Sequence, residues 1–236
     1  MIRQLLKMRR QQVLIDINTQ NDFFLDQGRS RVGNRRRVLS HIRRIMAFAR
    51  AKKIPVISIC EVYPNGNGAS VLGYCIDGSE GQKKVSYTLL SNRASFAADN
   101  NTDLPVDILR RYRQIILHKR CVDPFDEPRI DRLLSEIRAN EFILIGAIAE
   151  GAIEATALGL LQRGKRVSVV VDAIGAQDKQ KARHALRKIG AKGAKLIETR
   201  RLAGISHLKS VGALKNADDS SEEQSDALDE IQLETN

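Results

Sequence analysis

Short apolar runs alternate along this chain with segments in which apolar residues recur every three to four positions. The runs are Val13 to Ile17, Pro55 to Ile59, Gln114 to Leu117, Phe142 to Ile145, Arg166 to Val171 and Ala194 to Ile197. Each has the length and β-branched character of a strand buried on both faces. Between them, Val38, Leu39, Ile42, Ile45, Met46 and Ala49 fall on one helix face. Ile130, Leu133, Leu134 and Ile137 form a second such face, and Ala182, Ala185, Leu186 and Ile189 a third. Gly33-Asn34 caps the first helix, Pro128 opens the second, and a short helix is predicted over Val106 to Tyr112. Gly164 stops a further helix after the Phe142 to Ile145 run, and Gly190 ends the third face's helix. Strands alternating with helices predict an α/β fold. Its core is a doubly wound, mostly parallel six-stranded sheet with helices on both faces, a Rossmann-type three-layer arrangement.

That periodicity fills one domain, residues 13–210, between a basic segment at 1–12 and a tail at 211–236. Inside the domain it fails between Glu61 and about Pro105, where Gly66, Gly68, Gly73, Gly78 and Gly81 interrupt the chain. A loop that long in a compact domain usually serves function. No apolar run approaches the ~20 residues that span a bilayer. The basic start lacks the apolar core of a secretory signal. Cys60, Cys75 and Cys121 show no C-x-x-C spacing, so reduced thiols and a cytoplasmic setting are expected.

Charge changes the picture. The chain carries a formal +11, yet residues 217–236 hold eight acidic side chains and no basic one. The remaining 216 residues therefore set 39 basic groups against 20 acidic ones (28 less 8), a body of +19. Such a body attracts polyanions, nucleic acid among them, and the tail, which lacks aromatics, reads as disordered. A solvated surface with a counter-charged tail accounts for the same composition.

The candidate chemistry lies at strand ends. Leu144 to Ala157 reads as strand, turn at Gly146, then helix, which places backbone N–H groups at the carboxyl edge of a parallel sheet. A nucleophile is expected there, but the turn offers only Gly151 and Ala152. Asp16 ends the first strand, and His118-Lys119-Arg120 end the third. Converging there, Asp16 and Lys119 make either a general base with a charge partner or a structural ion pair with Asp16 capping the next turn. A second reading is a Mg-dependent nuclease using Asp16, Asp22 and Asp172.

Four blocks in order carry a family resemblance: Leu14-Ile15-Asp16 with Gln20-Asn21-Asp22-Phe23, Gly78 to Gln82, Lys119-Arg120 with Phe125, and Gly146 to Ala157 followed by Val169 to Ala173. The chain resembles the isochorismatase-like cysteine hydrolases, which include nicotinamidases. The resemblance implies a cysteine nucleophile, an aspartate that takes its proton and a nearby lysine. Asp16 matches the aspartate, Lys119 the lysine, and Ala152 occupies the cysteine position. A cis peptide is implied at Ala147–Ile148, with Ala147, Ile148, Gly151, Phe23 and Gln20 around the substrate. The family shows Ile-Asp, one residue, then Gln-Asn-Asp-Phe, whereas Asn18-Thr19 are two extra residues here. Hydrolysis of a vinyl ether by Asp16 through water stays open, and Cys60 and Cys121 are the substitute thiols to weigh. Without histidine between His41 and His118, no metal and no cofactor are expected. His184 and His207 read as isolated surface or packing residues. The expected partners are an unidentified small molecule, a polyanion through the basic body, and further copies of the chain, with no membrane.

Overall fold

A computed structural model describes residues 12–65 and 73–204, so the 1–12 segment, except Gln12, and the acidic tail lie outside the described residues. Seven strands form one sheet: β1 (Gln12–Ile17), β2 (Val56–Glu61), β3 (Arg93–Phe96), β4 (Gln114–Lys119), β5 (Glu141–Ala147), β6 (Val167–Gly175) and β7 (Lys195–Ile197). Their order is β3-β4-β2-β1-β5-β6-β7, and every pairing is parallel. All strands therefore start at one rim and end at the other.

The helices are α1 (Asn21–Phe24), α2 (Arg35–Ala51), α3 (Ile108–Arg111), α4 (Pro128–Glu136), α5 (Glu154–Gln162), α6 (Lys179–Ala191) and α7 (Thr199–Ala203). Val38, Ile42, Ile45, Met46 and Ala49 of α2 are buried, as the helical period requires, against Leu14, Val56, Ile143 and Val170 on one face of the sheet. Ile130 and Leu134 of α4, Leu160 of α5 and Ile189 of α6 pack with Ile15, Ile57, Ile115 and Leu144 on the other. Each fully buried branched side chain contributes about 1.5–3 kcal/mol relative to exposure.

The structure departs from the sequence pattern in four places. The sheet has seven strands rather than six, because Arg93–Phe96 of the long loop adds an edge strand. The helix expected over Val106 to Tyr112 shrinks to α3. Asn34 does begin α2, but its side chain makes no cap; it reaches Ile174 O and Ala176 N at 3.4 Å each, tying α2 to β6. The α6 helix runs through Gly190 and stops before Gly193, whose φ of +103° is the left-handed geometry that closes a helix.

Candidate functional site

The strand order reverses at β1, since β2 lies on one side of it and β5 on the other. Open α/β sheets place their crevice at such a reversal. β1 pairs Ile17 with Ile59 on one side and with Gly146 on the other, and the next amide, Asn18 N, still donates to Ile59 O at 2.8 Å. The ladder thus continues to Asn18 without a bulge. Asn18 then adopts φ +51°, a left-handed conformation that asparagine tolerates better than most residues.

Two side chains anchor the segment after Asn18. Gln20 accepts from Glu61 N at 2.8 Å and donates to Glu61 O and Gln82 O at 2.7 and 2.8 Å. Rather than facing a ligand, it latches β1 to the end of β2 and to the long loop. Asp22 accepts from Arg29 N and Cys75 N at 3.0 and 2.6 Å. Its carboxylate fills the space a Cβ on Gly81 would need, which explains glycine in the loop block. Phe23 is fully buried, edge-on to Tyr74, and belongs to the α2-side core instead of a binding surface.

The expected pairing of Asp16 with Lys119 does not form. Successive side chains on a strand point to opposite faces. Asp16 alternates with Ile15 and Ile17 and so shares the α2 face with Leu14. There it accepts from Ser58 Oγ at 3.0 Å and from Lys84 Nζ at 2.7 Å, completely buried. Gln114 Nε2 in turn donates to Ser58 Oγ at 2.8 Å, and Lys84 also donates to Thr19 Oγ1. Asp16 neither caps a turn nor meets the lysine at the end of β4. Lys84, which stands in the aperiodic loop, is the partner that sequence reasoning missed.

Lys119 shares its strand face with Leu117 and Ile115, the α4–α5 side. Its Nζ is fully buried and donates to Glu61 Oε1 at 2.8 Å and to Cys121 O at 2.6 Å. The left-handed turn at Asn18 swings its amide to the same oxygen, with Nδ2 2.7 Å from Glu61 Oε1. Tyr63 Oη donates to Glu61 Oε2 at 3.3 Å. Burial and the Glu61 carboxylate push the Tyr63 phenol upward, so it remains a donor. Asn18 Oδ1 is buried without a hydrogen-bond partner among the described residues.

The turn after β5 meets this cluster from the other side. Gly146 has φ +117°, and a Cβ on it would stand 1.9 Å from Ile17 O, so only glycine lets β5 pass β1 here. The Ala147–Ile148 peptide is cis, as the resemblance implied. Ala149–Ile153 then makes one wide turn of π type, interrupted by non-helical Glu150 and Gly151. Gly151 N and Ile153 N both donate to Ile148 O at 3.1 Å. Glu150 Oε1 accepts from Gln177 N and Asp178 N at 2.9 and 2.7 Å, pinning the turn to the start of α6. Val122, beyond β4, lies 3.9 Å from where a Gly151 Cβ would be. Ile148 and Gly151 are half-buried, whereas Ala147 is closed off. Ala152 is 2 % exposed, within the apolar cluster that includes Ile17, Leu117 and Ala149, on the sheet face away from Asp16.

Neither substitute thiol is activated. Burial pushes Cys60 up to about 11, against the pull of Lys84, and Cys121 likewise to about 11. The acids proposed for a nuclease are dispersed: Asp172 accepts from Thr199 and faces His41, Asp22 is bound by backbone amides, and Asp16 by Lys84. Among the described residues no group of three His, Cys, Asp or Glu side chains is placed to hold a metal ion. His184 is exposed, and His207 lies outside the described residues. No described helix is long and apolar enough to cross a membrane.

A profile of the isochorismatase domain matches residues 12–201. The chain belongs to the isochorismatase family. Its fold is also that of solved members and relatives. An isochorismatase family protein from Desulfovibrio vulgaris is 20% identical with a TM-score of 0.65, over 82% of this chain and 97% of that one. A putative isochorismatase hydrolase from Oleispira antarctica is 14% identical at TM-score 0.65, over 82% and 96%. Pyrococcus horikoshii pyrazinamidase, solved with zinc, is 18% identical at TM-score 0.62, over 80% and 99%. No curated protein matches the chain.

Proposed function

We propose that this isochorismatase-family chain has lost cysteine-dependent hydrolysis and binds a small molecule or a partner where β1 and β5 cross, in a cleft entered beside the half-buried Ile148 and Gly151. The observation that carries the reading is the shared acceptor Glu61 Oε1, which engages both Asn18 and Lys119. Counting back from Gln20 by the family's spacing reaches Asn18, and the unbroken β1 ladder gives no room to treat Asn18-Thr19 as an insertion. A carboxamide cannot take a proton from a thiol. The lysine's charge is already matched by a buried carboxylate, and Ala152 offers a methyl group where a sulfur is needed. Three roles of the cysteine mechanism are therefore vacant or occupied otherwise. Asp16 is committed to Lys84 on the far face, so the carboxylate matched to the family's base does not reach the turn.

The test has two arms. The purified chain is assayed against small amides, esters and a vinyl ether, and no turnover above the uncatalysed rate is expected. Saturable turnover of any of them sinks the loss of function. Metabolites retained on the immobilised protein are then read by mass spectrometry, with Gly151→Trp as the blocked control. Retention that the tryptophan abolishes supports a binding cleft, and retention indifferent to it argues against one.

A further inference from the structure

Because every strand runs the same way, the residues that begin them share one rim, remote from the cleft. At those starts, or within three residues before them, stand Arg93 (β3), Arg113 (before β4), Lys53 (before β2), Arg138 (before β5), Arg166 (before β6) and Lys195 (β7), with β1 contributing none among the described residues. We infer that this rim is a binding face for the phosphate backbone of nucleic acid.

Strand spacing of about 4.8 Å sets these cations in a row some 29 Å long, over which a duplex presents about 17 phosphate charges. Two acids near the rim are paired, Asp107 with Arg111 and Glu136 with Arg132, while Glu141, hydrogen-bonded to the neutral Gln12 and Ser168, leaves one carboxylate among the six cations. Among the described residues no carboxylate pairs with Lys53, Arg113, Arg138 or Lys195. Like charges crowd here: Lys165 is held below the usual lysine range by burial and by Arg138 and Arg163. The rim also has relief. Arg50, Lys53 and Arg113, with Ser91 and Asn92, line an open cleft of about 450 Å³, where Arg50 is braced by Tyr87 O at 2.5 Å.

Several features favour phosphodiesters over a lipid surface. Four of the six cations are arginines, whose planar forks match phosphate oxygens in pairs. Among the described residues the exposed large apolar side chains are Leu25, Val106 and Val122, and none belongs to this row, so the described rim lacks the apolar anchors of an interfacial protein.

The full chain is titrated by fluorescence anisotropy into 20-nucleotide RNA, single-stranded and duplex, and into duplex DNA, across a salt series. Two triple variants neutralise the two halves of the rim on either side of β1, K53Q/R93Q/R113Q and R138Q/R166Q/K195Q. A charge-matched control, R36Q/K181Q/R183Q, removes exposed cations near the starts of α2 and α6. Each rim variant is expected to weaken binding tenfold or more and to reduce the duplex salt slope by about 2–3, as loss of three phosphate contacts requires. The control should change neither. The RNA and DNA arms tell which backbone is preferred. Equal losses in all three variants would mean that only net charge is read. No loss in either rim variant, or tighter rim-dependent binding to phosphatidylserine vesicles than to any nucleic acid, would also overturn the assignment.

Discussion

Asn18 Nδ2 and Lys119 Nζ donate to one oxygen, Glu61 Oε1, from 2.7 and 2.8 Å. That oxygen joins the ends of β1, β2 and β4 through a single buried carboxylate. Replacing Glu61 by Ala leaves a fully buried ammonium with only Cys121 O, and removing one partner of such a pair costs about 3–5 kcal/mol. Urea unfolding should show a lower midpoint with an unchanged slope. A loss under about 1 kcal/mol would mean that water reaches Lys119 freely.

The same carboxylate limits what a restored thiol can do. In Ala152→Cys, with the three native cysteines changed to Ser, Glu61 still neutralises Lys119 and Asn18 cannot accept a proton. Iodoacetamide should alkylate the new thiol no faster than a free cysteine near neutral pH. Adding Asn18→Asp and Glu61→Gln frees the lysine and supplies a base, so the combined variant should alkylate at least several-fold faster. Fast alkylation of Ala152→Cys alone would show that the turn amides activate sulfur without help.

On the far face, Asp16→Asn strands Lys84, whose side chain is 5% exposed, without a counter-charge. A drop of roughly 3 kcal/mol in stability is expected, with ligand retention at the cleft unaltered at protein concentrations where the variant stays folded. If stability holds while cleft binding is lost, Asp16 belongs to the site after all.

His118 supplies a pH signature. Burial holds its imidazole below the usual range, partly offset by the bond from Nδ1 to Phe96 O, so the folded ring stays neutral. Its folded value lies below the unfolded one. Stability is therefore complete above about pH 6.5, and falls below it as the unfolded chain takes up a proton the native chain resists. His41 is lowered in the same direction, chiefly by burial against the opposing pull of Asp172. His118→Gln should flatten the acid limb of stability against pH, and the double variant with His41→Gln should flatten it further. An unchanged limb would place the acid sensitivity in carboxylates.

Residues 217–236 carry the charge opposite to the rim's, with eight acidic side chains and no basic one. Their deletion takes the chain from +11 to +19 and should raise nucleic-acid and heparin affinity at low salt, with the difference fading as salt screens it. Affinity that stays constant through the salt series would remove the tail as an electrostatic mask.

Most strands and helix faces were legible because burial and period coincide, as at Val38, Ile42 and Ala49. The edge strand β3 was not: Arg93, Ala94, Ser95 and Phe96 alternate between exposed and half-buried, without an apolar run to mark them. The side that Asp16 faces was also hidden. Val13 to Ile17 is buried on both sides, so nothing in its composition says which face holds the α2 helix. Only the left-handed turn at Asn18 shows that the next polar side chain, rather than Asp16, reaches the Lys119 side of the sheet. Lys84 sits in a stretch without periodicity, where sequence gives no register at all.

The all-parallel sheet gives the molecule a front and a back. Strand ends gather the cleft residues at the front, and strand starts gather the arginines and lysines at the back, about 20 Å away across a six-residue strand. A chain seated on a polyanion by its back would turn the proposed cleft away from that polyanion. Occupancy of one rim need not then exclude occupancy of the other, and a small molecule could be displayed along a nucleic acid without touching it.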